Sequence, residues 1–301
     1  MTAAAENRLL PDYDSPRMLK KFLEANSLAM RKKFGQNFLV SPAARAKLLD
    51  ALDISDGQSV WEVGPGLGAM TSGLLARGAR VTAFEVDRGF LNVLALLFAP
   101  ETAARRLACV PGDVLKTWKP TLDAQGMPAR FFGNLPYNIA ATLIAGTVAA
   151  GIRFPLAVVT VQKEVACRMC AEPGSKAYSA FSVLCRWAYA VTPALNIARA
   201  GFYPSPSVDS CAVRLEPAAD FPACSSPRRF TALVRALFAS RRKTVRNNLL
   251  PFLGSAAATE AALAAARIAP GSRAETLPVD ALLRLSDVCG EVAHGAACCG
   301  A

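Results

Sequence analysis

Residues 59 to 68, SVWEVGPGLG, run from a short apolar segment straight into three glycines at every second position. The apolar part is bounded and rich in β-formers, so it predicts a buried strand at Ser59–Val63. The glycines after it predict a tight turn into a helix beyond Gly68. The same change of period repeats outward: a strand at Arg80–Phe84, a helix from about Gly89 to Phe98, and apolar strands near Leu107–Val110, Ala129–Phe132 and Leu156–Val161. Strand and helix in alternation predict an α/β fold, an open and mostly parallel sheet covered on both faces. Asp209–Leu215 alternates polar and apolar side chains after Pro204 and Pro206, which predicts an added edge hairpin.

A composition break follows at Pro217, Pro222 and Pro227, with Ser225 and Ser226. Beyond it Phe230, Leu233, Val234, Leu237 and Phe238 recur at helical spacing, and the alanine-rich stretch Ser255–Ile268 reads the same way. Residues from about 222 therefore form a small helical domain. At the other end, residues 17 to 33 carry Arg17, Lys20, Lys21, Arg31, Lys32 and Lys33 against the single acid Glu24. They predict a basic helical arm, followed by a loop through Phe34–Leu39.

A chain of 301 residues, 52% hydrophobic, has the length for two domains and the apolar content for a large core. Lys and Arg number 34 against 23 Asp and Glu, a balance of +11 that favours a polyanionic partner, nucleic acid or an acidic membrane surface. Glu6, Arg8, Asp12 and Asp14 at the start do not read as a signal peptide, so a cytoplasmic protein is expected. The uncharged run Phe131–Ile152 contains Asn134, Pro136, Tyr137 and Asn138, and a strand, a turn and a buried helix explain it better than a membrane span. Nine cysteines, an odd number, suit free thiols in a reduced chain. Cys167 and Cys170 form one C-x-x-C, and Cys298-Cys299 lie near the only histidine, His294. With no second C-x-x-C, buried or tail thiols and no metal are expected.

The glycine turn after the first strand stands where a doubly wound sheet binds a nucleotide. Glu85 ends the second strand about 20 residues beyond Gly64, the place of a ribose-binding carboxylate. Asp113, after the third strand, is suited to accept from the exocyclic amine of an adenine. Gly64, Gly66 and Ala69 also satisfy a dinucleotide fingerprint, so on the glycines alone an NAD-dependent oxidoreductase stays open. Pro65, Glu62 and the lack of a hydride-transfer constellation lean away from it.

After the fourth strand comes Asn134-Leu135-Pro136-Tyr137. An adenine amine is a poor nucleophile because its lone pair is delocalised into the ring. Two acceptors beside it, the Asn134 side-chain oxygen and the Leu135 carbonyl, would draw its N–H bonds out of plane and free that lone pair. Pro136 holds the chain just after them, and Tyr137 supplies a face on which a base can stack. Nothing in the set titrates near neutrality, so the electrophile must be strong. A sulfonium methyl fits, and its adenosine half suits Gly64, Glu85 and Asp113.

These residues carry a resemblance. Lys33-Phe34-Gly35-Gln36-Asn37-Phe38-Leu39, Glu62-Val63-Gly64-Pro65-Gly66, Glu85-x-Asp87, Gly112-Asp113 and Gly133-Asn134-Leu135-Pro136-Tyr137-Asn138 resemble the ribosomal RNA adenine dimethyltransferases. So do Gln162-Lys163-Glu164-Val165-Ala166, the segment Phe202 to Ser210 and the segment Arg241 to Leu249; together the motifs cover about residues 31 to 287. The resemblance implies a Rossmann-like methyltransferase sheet with a small C-terminal helical domain and S-adenosylmethionine as methyl donor. It also implies, as substrate, two adjacent adenosines near the 3′ end of 16S rRNA in the small ribosomal subunit, each methylated twice at N6. By position, Asn37, Leu39, Gly64, Gly66, Glu85, Asp113 and Asn134 would line the cofactor site, and Phe202 would be a second aromatic over the base opposite Tyr137. Ser207 departs from the family pattern, where a lysine is common, which puts one RNA contact in doubt.

The division expected on these grounds is a basic arm and cofactor lid at 1–40, a catalytic domain at 41–221 and an RNA-binding domain at 222–301, in a monomer. From Arg228 to Leu249 the chain has seven basic residues and no acid: Arg228, Arg229, Arg235, Arg241, Arg242, Lys243 and Arg246. With the basic run before Phe34 they favour RNA phosphates over a merely solvated face. The competing functions are a large-subunit RNA methylase of the erythromycin-resistance type, a DNA adenine methylase and a non-catalytic ribosome assembly factor. The assembly factor would have little use for Glu85, Asp113 and Asn134 together, and the helical tail is small for reading duplex DNA.

Overall fold

The computed structural model describes residues 10–30, 35–135, 137–218 and 224–298, and of 137, 138 and 292–298 the backbone only. The chain divides into two compact units. The first holds the residues up to Leu143, Phe154–Ala166 and Thr192–Glu216; the second holds Ile144–Arg153, Cys167–Val191 and the residues from Pro217. The second unit thus draws in two segments that precede the proline-rich break.

In chain order the first elements are α1 (Pro16–Ala25), β1 (Phe38–Leu39), α2 (Pro42–Ala51), β2 (Ser59–Val63), α3 (Ala69–Ala76), β3 (Arg80–Glu85), α4 (Arg88–Leu97), α5 (Ala99–Ala103) and β4 (Leu107–Pro111). Then come α6 (Val114–Gln125), β5 (Arg130–Asn134), α7 (Tyr137–Ala149), β6 (Ala157–Gln162), α8 (Lys163–Cys170), α9 (Ala180–Ala188), β7 (Tyr189–Ile197), β8 (Phe202–Tyr203) and β9 (Ser210–Pro217). The remaining helices are α10 (Pro227–Leu237), α11 (Val245–Leu253), α12 (Ala256–Ala265) and α13 (Val279–Cys298).

Seven strands form one sheet in the order β4-β3-β2-β5-β6-β9-β7. The first five are parallel, and β9 joins β6 antiparallel. From β2 the chain steps outward through β3 and β4, then returns to lay β5 on the other side of β2. That reversal opens a crevice beyond the strand ends, where such sheets bind ligands. It also sets Val63 opposite Gly133, so the Gly64 turn and Asn134 become neighbours although about seventy residues separate them.

Helix starts are chemically marked. Asp87 caps α4 by accepting from Gly89 N, and Asp113 caps α6 by accepting from Leu115 N. Gly68 starts α3 with φ +87°, and a β-carbon there would stand 2.4 Å from the Phe98 ring. Phe98 is fully buried in the core with Leu74, Val81 and Leu94. Truncating it to alanine would cost about 3–5 kcal/mol.

One expectation is corrected. Among the described residues the basic arm is helical over Pro16–Ala25, because the chain leaves the helix through Asn26 and a left-handed Ser27 at φ 52°. Leu19 and Leu23, four residues apart, bury one face of α1 against Phe90, Val93 and Leu67, while Arg17, Lys20 and Lys21 are exposed. Arg31 to Phe34 lie outside the described residues. The expected addition at the edge is present: β9 and β7 are the last two strands of the sheet, β9 lying against β6 and β7 outermost. Pro193 in β7 explains this, since proline cannot donate to a ladder and is confined to edges. The apparent polarity of β9 comes from Arg214, whose guanidinium reaches Ala51 O and Glu216.

The second unit is helical. Phe230, Leu233, Val234 and Leu237 form the buried stripe of α10, and Trp187 of α9 meets Phe230 edge-on at 4.7 Å. Asn248 Nδ2 donates to Leu237 O and Ser240 O and so fastens the loop between α10 and α11. Among the described residues no helix is long and apolar enough to cross a membrane; Phe131–Ile152 opens with β5 and continues into α7.

Candidate active site

A cavity of about 330 Å³ opens at the C-terminal ends of β2, β3 and β5, within the size range of small-molecule sites. Asn37, Leu39, Gly64, Gly66, Glu85, Asp113 and Asn134 all line it, so residues drawn from five separate stretches of sequence come together. Its floor is the glycine turn. Gly66 has φ +56°, and a β-carbon there would stand 3.0 Å from the Phe38 ring, so a side chain would both strain the backbone and fill the space a ligand needs.

Two carboxylates have defined tasks in the wall. Glu85 accepts from Asp87 N at 2.8 Å and Gly66 N at 3.2 Å, which aims it across the turn. Burial pushes its carboxyl up, and these backbone donors, with Val86 N, pull it back. A carboxylate has about four lone-pair sites, so capacity remains for a diol. Asp113 spends Oδ1 on the cap of α6, leaving Oδ2 for an exocyclic amine.

Asn134 closes the other end. Its Nδ2 donates to the Asn37 main-chain oxygen at 3.1 Å, which fixes the amide's orientation and leaves Oδ1 as an acceptor. Leu135 N donates to Thr160 O at 3.1 Å, pinning the backbone whose carbonyl would be the second acceptor. A β-carbon on Gly133 would stand 2.6 Å from the Leu135 side chain, so that glycine lets Leu135 fold back beneath the strand end. Pro136 and the Tyr137 side chain lie outside the described residues. Phe202 pairs with Leu39 across the β1–β8 ribbon and is buried, 5% exposed. Beside it is a second, small cavity of about 20 Å³ shared with Asn134, room for a water molecule and not for a purine.

Three residues that sequence reasoning did not place in the site line it. Glu62 is buried, accepts from Thr71 Oγ1 at 2.6 Å and lines the large cavity. Burial pushes its carboxyl up to about 7; the Thr71 bond opposes this and the Glu85 charge adds to it. Its place just before Gly64 was a usable signal. Tyr13 roofs the cavity and its hydroxyl donates to Leu67 O at 2.9 Å. That contact spans 54 positions, so no local pattern shows it. Thr160 lines the small cavity, and nothing in its strand singles it out.

Of the seven basic residues, Arg228, Arg235, Arg242 and Lys243 are exposed with no ion pair among the described residues. Arg241 is tied to Glu275 at 2.8 Å, Arg246 to Glu260, and Arg229 lies half-buried against Gly290. Cys167 on α8 is exposed, against the expectation of burial, because it lies on the outer face of that helix; Cys170 is half-buried. The side chains of His294 and Cys298, and all of Cys299, lie outside the described residues.

The model of a family described as ribosomal RNA adenine dimethylase matches residues 27–290. The chain belongs to that family. A ribosomal RNA small subunit methyltransferase A from Treponema denticola is 44% identical over 285 residues, covering 94% of this chain and 97% of that protein. One from Borreliella burgdorferi is 36% identical over 242 residues, 80% of this chain and 83% of that protein. Among solved structures, a dimethyladenosine transferase from Plasmodium falciparum superposes with a TM-score of 0.65 at 23% identity, covering 84% of this chain and 97% of that one. A 23S rRNA methyltransferase gives 0.58 at 22% identity, covering 84% and 99%. These two agree with the fold and do not separate substrates.

As an rRNA adenine dimethyltransferase the chain uses S-adenosylmethionine, and its residues fit that group. The open Gly66 turn admits it closely, the Glu85 carboxylate suits its ribose, Asp113 Oδ2 suits its adenine amine, and the anionic wall suits its positive charge. When bound it supplies an electrophilic methyl group.

Proposed function

We propose that this dimethylase acts at N6 of two adjacent adenosines near the 3′ end of 16S rRNA in the small ribosomal subunit, methylating each twice. The observation that carries the reading is the Asn134 amide, turned by the Asn37 oxygen so that Oδ1 is left to accept. The names of the relatives support the small-subunit choice.

In this reading Asn134 Oδ1 and the Leu135 carbonyl accept the two N–H bonds of the target amine and pull them from the ring plane. The freed lone pair would take the methyl group as the sulfonium–methyl bond breaks and its electron pair stays on sulfur, and the amine would then give a proton to water. Tyr137 stacks on the base, Pro136 fixes the turn and Phe202 backs the site. Catalysis comes from position and from acceptors aimed where charge develops. Residues 1–40 act as arm and lid, 41–221 as the catalytic domain and 222–301 as the RNA-holding domain, with Arg228, Arg235, Arg242 and Lys243 as its first contacts. Arg241 and Arg246 have a lesser share, since part of their charge is already used, and so has Arg229, which is half-buried. We place the enzyme in the cytoplasm as a monomer.

The test is transfer of labelled methyl from S-adenosylmethionine to small subunits lacking the modification, followed by nucleoside analysis. Dimethyladenosine in small-subunit RNA is the expected product. Label in large-subunit RNA alone would replace this reading with the erythromycin-resistance type, and no label in either would leave a binding role.

A further inference from the structure

The small cavity behind Asn134 has a chemistry of its own. Asn134, Thr160 and Ala212 stand side by side in register across β5, β6 and β9, so their side chains share one face of the sheet. The face is covered by the β1–β8 ribbon, and the cavity left between them is lined by Asn37, Asn134, Leu135, Thr160, Phe202 and Ser210. Thr160 is 2% exposed, and its hydroxyl has no hydrogen-bond partner among the described residues. An unmade bond at a buried hydroxyl is costly, and valine would fill the same shape without it. Beside it, one Nδ2 hydrogen of Asn134 goes to Asn37 O, and the other has no acceptor among the described residues.

We infer that Thr160 is a positioning residue for methyl transfer, holding one ordered water in this cavity that accepts the second Nδ2 hydrogen of Asn134. The inference rests on the proposed role of Asn134. Both amide hydrogens are then occupied, the amide cannot rotate, and Oδ1 stays directed at the target amine. The volume, about 20 Å³, suits one water, and the polar groups around it supply the partners a buried water requires. The Thr160 hydroxyl acts through this water and touches neither cofactor nor substrate.

Thr160→Val and Thr160→Ser separate hydroxyl from shape. In single-turnover transfer to unmodified small subunits, Thr160→Val is expected to slow the transfer step by about twofold to tenfold, the worth of one hydrogen bond. Cofactor affinity by calorimetry stays unchanged and the melting temperature falls by at most a few degrees, since only one water-mediated hydrogen bond has gone. Thr160→Ser restores most of the rate. A high-resolution crystal structure of the cofactor-bound wild type is expected to show a water within hydrogen-bonding reach of Thr160 Oγ1 and Asn134 Nδ2. A wild-type rate in Thr160→Val overturns the inference, as does a Ser variant as slow as the Val variant, or a dry cavity in the wild type. Wild-type protein inactive on every RNA would sink the proposed function and this inference with it. An active wild type with an unaffected Val variant sinks this inference alone.

Discussion

The two cavities that meet at Asn134 differ in size and in chemistry. The larger, about 330 Å³, has Glu62, Glu85 and Asp113 in its wall; the smaller, about 20 Å³, is lined by amide and hydroxyl groups and has no carboxylate. A cationic cofactor is held best by negative charge and by a glycine turn that lets the backbone approach, and the larger cavity has both. The smaller has room for a water and none for a base, so its neutral groups can only fix the side chains around it. Asn134 belongs to both walls, and in the proposed reading the larger cavity holds the donor while the smaller steadies the amide that activates the acceptor.

The largest expected effect tests that division directly. Asn134→Ala should lower methyl transfer by about 100-fold or more, the usual loss on removing an aimed hydrogen-bonding group, while cofactor affinity measured by calorimetry falls only slightly. If both fall together, the division into holding and activating parts is wrong. Glu85→Ala should do the reverse: cofactor affinity drops by about 10- to 100-fold, as for a charged hydrogen-bonding group, and the rate at saturating cofactor is mostly kept. A turnover loss that excess cofactor cannot restore would move Glu85 out of the binding set.

The helical unit gives a control that should touch neither cavity. Removing the charges of Arg228, Arg235, Arg242 and Lys243 together is expected to weaken RNA binding by on the order of tenfold and to flatten its dependence on salt, since each lost phosphate contact lowers the slope. Cofactor affinity should not change. An equal loss on removing Arg241 and Arg246 alone would show that their ion pairs with Glu275 and Glu260 do not engage them.

The smallest effect is one of pH. Glu62, with its carboxyl pushed up to about 7 by burial, is protonated below that pH and ionised above it. Affinity for the cationic cofactor should therefore rise a few-fold as pH passes through about 7, and Glu62→Gln should remove the rise. Without cofactor the sign is opposite for stability. The folded state binds the proton more tightly than the unfolded chain, whose value is near 4.5, so this contribution is complete below about 4.5 and is lost as pH climbs to about 7. Melting curves across that window, for wild type and Glu62→Gln, would check it.

Much of this was legible from local pattern. SVWEVGPGLG announced a strand, a glycine turn and a helix, because these depend on a few consecutive residues. The candidate site residues were legible where they form motifs. The addition at the sheet edge was legible in Asp209–Leu215 and the prolines before it, but which strand lies outermost is decided by pairing. The arm was read as too long because a charge run does not mark where a helix stops, and a left-handed Ser27 does.

The sequence by itself determined the order of strands and helices, the glycine turn, the carboxylates at the strand ends and the basic character of the tail, since each is written in neighbouring residues. Only the tertiary structure decided that Asn37 turns the Asn134 amide, that Tyr13 roofs the cofactor cavity, that Thr160 stands beside Asn134, and which arginines are already paired. Each of those joins residues dozens of positions apart. Sheet register and helix packing fix such distances, and no local periodicity encodes them.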